Sequence, residues 1–203
     1  MAESAQQEAL VVETMEAIAT RRSIRKYSNH PVAEETVYAV LEAASLAPSG
    51  KNRQPWRFVV VAGDEKRAQM IRVMREGIAD SKVHGIETGT AIMTARVMER
   101  APVMIFVFNP EGAHPWAPHS LAQVLMETVD TQSIGAAIQN MLLAAQAMGL
   151  GTLWMCDVWS AYQQLSAWLG ESGQLVAAVA LGYPDEQPPA RPRRPLSEVV
   201  RWF

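Results

Sequence analysis

The chain is poor in the residues that build disulfides, metal centres and membrane spans. It has one cysteine, Cys156, among 203 residues, so an intrachain disulfide is impossible and a reducing compartment is expected. Its four histidines have no metal-ligand spacing, so no metal site is expected. No run approaches the roughly 20 apolar residues of a membrane helix, and the acidic N-terminus does not resemble a secretory signal. These observations predict a cytoplasmic protein.

No strong excess of charge of either sign is present. The net charge is −3, which argues against nucleic acid or a membrane surface as partner. Basic residues are instead concentrated in two short segments, 21–25 (RRSIR) and 191–194 (RPRR). Guanidinium groups form bidentate contacts with phosphate, so together these segments predict a site for a small phosphorylated ligand. A helix dipole alone could account for the first segment, which follows a predicted helix.

Hydrophobic periodicity predicts a mixture of helices and strands without strict β-α-β alternation, which favours an α+β fold. We expect one domain over residues 1–203, with residues 1–9 flexible. The segment 76–90 has a weak pattern, and 109–120 is predicted to be a loop. The predicted helices span 10–20, 34–46, 64–75, 91–100, 131–148, 159–169 and 196–200, and the predicted strands span 57–62, 103–108, 151–155 and 175–181.

Two predicted segments, one long helix and the C-terminal tail, have few predicted elements beside them to pack against. The predicted helix 131–148 is apolar over much of its circumference, so it must be buried on more than one face. The tail from Gly182 contains five prolines and forms no compact element before about residue 196. The helix is therefore expected in the core or against a partner chain, and the tail is expected to wrap around the body of the domain or around a second subunit.

The segment 48–56 (PSGKNRQPW) is rich in groups that bind polar ligands. Ser49, Asn52 and Gln54 lie between a predicted helix and a predicted buried strand. Such residues are also ordinary in turns, so a capped surface loop is the plain alternative. Amide side chains can, however, bond both the donor and the acceptor edges of a heterocycle.

Four stretches occur in order from residue 20 to the end: RRSIRKY, APSGKNRQPWRFVVV, GAAIQNMLLAAQAMGLGTLWM and LGYPDEQPPARPRRPLSEVV. Together they resemble the nitroreductase family of flavoenzymes. The resemblance implies an FMN-dependent α+β homodimer with a mainly antiparallel central sheet flanked by helices. It also implies two FMN sites at the subunit interface and a C-terminal tail that embraces the partner subunit.

The resemblance assigns the arginines to two ends of the cofactor. Arg21, Ser23 and Arg193 correspond to ligands of the FMN phosphate, with Arg191 in support and Arg22 in the same turn. Arg25 corresponds to a basic residue near N1 and O2 of the flavin. A fixed cation there stabilises the negative charge of the reduced ring.

Other cofactor contacts follow from the same resemblance. The loop residues Pro48, Ser49, Gly50 and Asn52 would reach FMN from the other subunit, with Gln54 near the cofactor. The strand end at Met155, Cys156 and Asp157 would direct a backbone N–H at flavin N5. Some relatives have Glu-Gly at positions 156 and 157, but a backbone donor does not depend on the side chain. For Cys156 a packing role is favoured over a catalytic thiol.

The loop 109–120 offers candidate substrate contacts at Trp116 and His119, beside His114. An aromatic side chain there could stack on a ring substrate or on nicotinamide. The alternative is a surface loop with incidental aromatic residues. No GxGxxG dinucleotide fingerprint is present.

The expected activity is oxidation of NADH or NADPH and reduction of a nitroaromatic, a quinone or a related acceptor by a ping-pong mechanism. Specialised members of the family are alternatives: a flavin-fragmenting enzyme that makes the lower ligand of cobalamin, or a reductive dehalogenase. For the dehalogenase, segment 76–99 lacks an evident acidic–tyrosine–lysine set. A non-catalytic FMN carrier or sensor is the alternative from another class.

Overall fold

The computed structural model describes residues 14–203. The segment expected to be flexible and the first four residues of the predicted helix 10–20 lie outside the described residues. Strands and helices fall close to most of the predicted positions. The helices are α1 (Thr14–Thr20), α2 (Glu34–Ser45), α3 (Asp64–Val83), α4 (Ala91–Arg100), α5 (Leu121–Ala147), α6 (Tyr162–Leu169) and α7 (Leu196–Val199).

Four antiparallel strands form one sheet in the order β1-β2-β4-β3. Helices cover both faces of this sheet, and the predicted α+β class is confirmed. The strands are β1 (Arg57–Ala62), β2 (Val103–Asn109), β3 (Gly151–Met155) and β4 (Gln174–Gly182).

Strand β2 is fully buried, which explains its uninterrupted apolar sequence. Successive side chains of a strand point to opposite faces. Met104, Phe106 and Phe108 therefore pack in the core formed with α3, α4 and α6. The alternate residues of β2, which include Ile105, pack in the core formed with α2 and α5. Both faces of β2 are thus covered by core side chains, and Leu153 and Met155 of β3 pack in the first of the two cores.

Two helices are longer than the sequence pattern predicts. Helix α3 continues to Val83 instead of ending near residue 75, because Gly77 is a packing residue whose Cα lies against Ala161. Helix α5 begins at Leu121, ten residues before the predicted start. Its first turn is fixed by a capping box, in which Ser120 Oγ accepts from the backbone N–H of Gln123 at 3.3 Å.

The segment predicted as a helix over 159–169 becomes α-helical only at Tyr162. A 3₁₀ turn, Asp157–Ala161, leaves the end of β3 and leads into α6. After β4 the chain runs as an extended, largely exposed tail that ends with α7. Within residues 14–203, no helix is long and apolar enough to cross a membrane.

Candidate functional site

The two basic segments meet in one cavity of about 650 Å³. This arginine cavity is lined at one side by the chain that leaves α1 and at the other by the proline-rich tail. Residues at least 163 positions apart in sequence (from Arg25 to Pro188) therefore line one cavity, as the phosphate-site prediction requires. The polar and charged lining residues are Arg21, Arg22, Ser23, Arg25, Arg191 and Arg193.

Backbone pairing with β3 and with the start of the tail brings these segments together. Ser23 forms a bridge to Thr152, and the backbone N–H of Ile24 donates to the Thr152 carbonyl at 2.9 Å. Tyr27 pairs with Pro184. Segment 21–27 therefore lies between the sheet edge and the chain that continues to Arg193.

The arginine cavity lacks the charge balance that a purely structural cluster would have. Burial and the neighbouring guanidiniums of Arg193 and Arg22 lower the pKa of Arg21. Among the described residues, those that line the cavity include no aspartate or glutamate. An anion would relieve the repulsion between these cations, and guanidinium and hydroxyl donors are suited to a phosphate such as that of FMN.

Arg22 differs from its neighbours, because its guanidinium is hydrogen-bonded to backbone carbonyls of its own segment. Its Nη1 donates to the carbonyls of Ala19 at 2.8 Å and of Arg21 at 2.9 Å. It therefore satisfies free carbonyls at the end of α1, as expected of a cation at a helix C-terminus. The helix-end interpretation accounts for Arg22, but within residues 14–203 Arg21 and Arg193 form no salt bridge with an acidic residue.

A second cavity of about 840 Å³ adjoins the first, and Arg25 lines both. This second cavity, called the cleft below, is bounded by the end of β3 and by α4. Met155, Cys156 and Asp157, the predicted cofactor contacts at the strand end, are among its lining residues. The cavity predicted for the phosphate and the cleft predicted for the flavin ring therefore adjoin each other at Arg25.

The carboxylate of Asp157 is bound to α4. Its two oxygens accept from the hydroxyls of Thr90 and Thr94, each at 2.7 Å. These threonines are four residues apart, so they share one face of the helix. The interaction ties the end of β3 to α4 across the cleft. The Thr-x-x-x-Thr spacing was visible in the sequence, but nothing local linked it to Asp157.

Glu186 is a further lining residue that sequence reasoning missed. One of its carboxylate oxygens accepts from the backbone N–H groups of Arg25 at 2.5 Å and Lys26 at 3.2 Å. It holds the tail against segment 21–27 and so fixes the backbone that carries Arg25.

Cys156 is exposed in the single chain. Partial burial and the adjacent carboxylate of Asp157 raise the pKa of its thiol. The thiol is therefore protonated at neutral pH, which opposes a nucleophilic role.

The cofactor loop, residues 48–54, lies away from the arginine cavity within one chain. It contains a 3₁₀ turn, Gly50–Asn52, and has positive φ at Lys51, Asn52 and Gln54. The hydroxyl of Ser49 accepts from the backbone N–H of Gln54 at 3.0 Å. None of the predicted contacts Pro48, Ser49, Gly50, Asn52 and Gln54 lines either cavity of the same chain.

Helix α5 holds this loop in place. A Cβ at Gly50 would lie 2.5 Å from Cγ1 of Val129, so only glycine allows this approach. Arg53 donates to both carboxylate oxygens of Asp130 at 3.2 Å and to Glu111 at 2.7 Å. The hydrogen bond and charge of Asp130, the larger causes, raise the pKa of Arg53. The strained backbone is thus supported from α5.

Trp116 and His119 lie outside the cleft in one chain. The Trp116 ring contacts Tyr162 edge-on at 5.4 Å between ring centroids, and it lines a separate cavity of about 320 Å³. His119 Nε2 lies 3.3 Å from the carboxylate of Glu127, and its Nδ1 lies 2.5 Å from the Ala117 carbonyl. His119 therefore attaches the loop to α5, and neither residue is brought to Arg25.

Residues 18–183 match the model of the nitroreductase family. A protein of Archaeoglobus fulgidus, provisionally named NADH dehydrogenase/NAD(P)H nitroreductase, is 29% identical over 86% of this chain and 87% of its own length. The 5,6-dimethylbenzimidazole synthase of Rhodospirillum rubrum is 32% identical over 83% of this chain and 81% of its own. A Desulfovibrio desulfuricans protein whose crystal structure contains FMN is 32% identical, with a TM-score of 0.72 over 95% of this chain and 97% of its own.

Proposed function

Because the chain belongs to the nitroreductase family and is thus an FMN-dependent oxidoreductase, we propose that it oxidises NADH or NADPH and reduces a nitroaromatic, a quinone or a related small acceptor. The observation that carries this proposal is the arginine cavity, which adjoins a cleft at the end of β3. The phosphate of FMN would occupy the arginine cavity, and the flat flavin ring would occupy the cleft.

In this proposal Arg21, Ser23 and Arg193 hold the FMN phosphate, with Arg191 in support and Arg22 in the same turn. The lowered pKa of Arg21 supports the assignment, because an anion would relieve the repulsion between the guanidiniums. The chemistry that FMN supplies when bound is two-electron transfer between a nicotinamide and an acceptor that occupy one place in turn.

The remaining residues orient the ring and compensate its charge. Arg25, in the wall shared by the two cavities, places a permanent cation where negative charge develops on reduction. Met155 ends β3, and the bonds from Thr90 and Thr94 to Asp157 fix the backbone that follows it. A backbone N–H at Cys156 or Asp157 would therefore keep one orientation toward the ring.

We further propose that the active form is a homodimer with FMN at the interface. The first half of α5 is the main support, because its apolar side chains are uncovered in one chain: Leu121, Val124, Leu125, Met126 and Val129. The tail adds Trp202 and Phe203, both almost fully exposed. Apolar surface of this extent indicates a protein partner.

The position of the cofactor loop agrees with that arrangement. Gly50 packs against Val129, so the loop borders the uncovered strip of α5. A partner seated on the strip would meet Pro48, Ser49, Asn52 and Gln54, and these residues could reach the partner's cleft. Trp116 and His119 remain candidate substrate contacts, and the cytoplasmic location remains a prediction.

Anaerobic stopped-flow spectroscopy tests the activity. FMN-loaded dimer, identified by light scattering, is mixed with NADH or NADPH and then with a panel of nitroaromatics, quinones and halophenols. We expect bleaching of the flavin absorbance by at least one nicotinamide and its recovery with an acceptor. FMN that is bound and reducible by dithionite, yet is not reduced by either nicotinamide, would favour the carrier or sensor alternative.

The 32% identity to a 5,6-dimethylbenzimidazole synthase supports a second candidate, a flavin-fragmenting activity. Incubation of the holoenzyme with reduced FMN in air, followed by mass spectrometry, distinguishes the two. Formation of dimethylbenzimidazole would establish the second candidate. Rapid catalytic oxidation of NADH or NADPH without that product would exclude it, and reduction of a halophenol alone would indicate the dehalogenase.

A further inference from the structure

Two arginines of α4 face the cleft and have no part in the cofactor site described above. Arg96 and Arg100 both line the cleft together with Arg25 and Cys156. They are four residues apart on one helix, so their side chains lie on the same face. Both are exposed, which leaves their guanidiniums accessible to a molecule that enters the cleft.

In the described part of the chain, neither guanidinium is paired with a carboxylate. Within residues 14–203, neither Arg96 nor Arg100 has a carboxylate within 4.0 Å, and the one side-chain bond of Arg96 is to the sulfur of Met93 at 3.6 Å. Four other arginines differ from Arg96 and Arg100 in this respect. Those at positions 53, 57, 67 and 75 each have a carboxylate oxygen at 3.1 Å or closer.

The two carboxylates that line the cleft already accept hydrogen bonds from other groups of the protein. Asp157 is bound to two threonine hydroxyls of α4, and Glu186 is bound to the backbone of Arg25 and Lys26. Among the described residues, four basic side chains and two carboxylates line the cleft, which leaves an excess of two positive charges. The helix dipole favours a cation at Arg100, the last residue of α4, but it does not account for Arg96, a turn earlier.

We propose that Arg96 and Arg100 bind an anionic group, a phosphate or a carboxylate, of the substrate that exchanges at the flavin. The planar guanidinium fork suits either anion. This inference rests on the proposed function and adds the substrate class: the cleft favours an anionic second substrate. The anion has two possible sources, the phosphates of the nicotinamide dinucleotide or a carboxylate on the electron acceptor.

The test uses FMN-loaded Arg96→Gln, Arg100→Gln and the double variant. Arg72→Gln is the matched control, since Arg72 is exposed on α3 and lines neither cavity. The reductants are NADPH, NADH and 1-benzyl-1,4-dihydronicotinamide, which lacks phosphate. The acceptors are 4-nitrobenzoate and its neutral analogue 4-nitrobenzamide. Each kcat/KM is measured at low and raised ionic strength.

We expect the double variant to lose on the order of tenfold or more in kcat/KM for anionic substrates, as for a lost charge-assisted hydrogen bond. The neutral analogues should change little. A loss with NADPH alone identifies its 2′-phosphate, a loss with both dinucleotides identifies the diphosphate, and a loss with 4-nitrobenzoate identifies the acceptor.

Equal losses for charged and neutral substrates, or no loss for any, would overturn the inference. Bound FMN that none of the three reductants can reduce in the wild-type protein would refute the proposed function instead, and the inference with it. The two failures are distinguishable because the first leaves wild-type turnover intact.

Discussion

Arg53 and Arg21 show how differently the same side chain is used in one fold. Arg53 lies between two carboxylates, and one of them, Asp130, is 2% exposed. Arg21 instead faces Arg193 and Arg22, in a cavity whose described lining residues carry no acid. Arg53 is thus paired with acidic residues of its own chain, whereas Arg21 has no carboxylate partner among the described residues, which is why we propose that it binds an anion.

The two environments also move the pKa in opposite directions. Asp130 raises the pKa of Arg53, while burial and neighbouring cations lower that of Arg21. A charge stabilised by its surroundings contributes to folding, and a charge destabilised by them is available for binding. Substitutions in the two regions should therefore separate protein stability from cofactor affinity.

The largest expected effect is on stability and comes from Asp130→Ala. The change removes the buried carboxylate that accepts two hydrogen bonds from Arg53, so it should lower the free energy of unfolding clearly more than loss of the exposed Glu111 carboxylate does. Urea denaturation of the FMN-free protein measures this. Glu111→Ala is the control, since its exposed carboxylate should contribute less than about 1 kcal/mol. Equal, small effects of both changes would show that Arg53–Asp130 is not a structural pair.

Arg21→Gln should give the opposite pattern. At neutral pH Arg21 is charged and repelled by its neighbours, so the variant without FMN should be as stable as the wild type or more stable. Its affinity for FMN should fall by about 1.5–3 kcal/mol, because a charge-assisted bond to phosphate is lost. Thermal unfolding and fluorescence titration with FMN measure the two quantities. If the variant is less stable than the wild type in the absence of FMN, then Arg21 contributes to folding as Arg53 does, and the contrast fails.

The smallest effect is expected at Cys156. Because the pKa of the thiol is raised, alkylation by iodoacetamide should be slow at pH 7 and accelerate only above the pH at which a free cysteine reacts. Cys156→Ser should retain kcat/KM within about twofold, since no step requires the thiolate. Fast alkylation at pH 7, or a large loss of activity in the serine variant, would give Cys156 a chemical role.

The sequence was most informative where local pattern alone determines structure. All four strands lie within one residue of their predicted bounds, because apolar runs such as 103–108 fit only a buried strand. The start of α5 was missed although its signals were local: Ser120 and Gln123 form a capping box, and Leu121 and Leu125 are at helical spacing. Their stripe faces away from the core of the chain, so it did not stand out as a core helix. Gly77 appeared to interrupt α3, and only its contact with Ala161 explains why it does not.

Contacts between distant segments were beyond local reasoning. The pairing of Arg53 with Asp130 spans 77 positions, and nothing in either segment indicates the other. A shared phosphate site of the two basic segments was predicted from their arginines, and the family resemblance assigned Arg21 and Arg193 to it. The backbone bridges of Ser23 and Tyr27 give the physical cause of their meeting. The roles of the cofactor loop depend on a second subunit and remain predictions.

The central claim is that the arginine cavity binds the FMN phosphate. It is tested most directly by titrating the FMN-free wild type and Arg193→Ala with FMN and with riboflavin, which lacks the phosphate. We predict that the wild type prefers FMN, and that Arg193→Ala weakens FMN binding by about 1.5–3 kcal/mol while riboflavin binding is unchanged. Unchanged FMN affinity in the variant, or an equal loss for both flavins, would contradict the account.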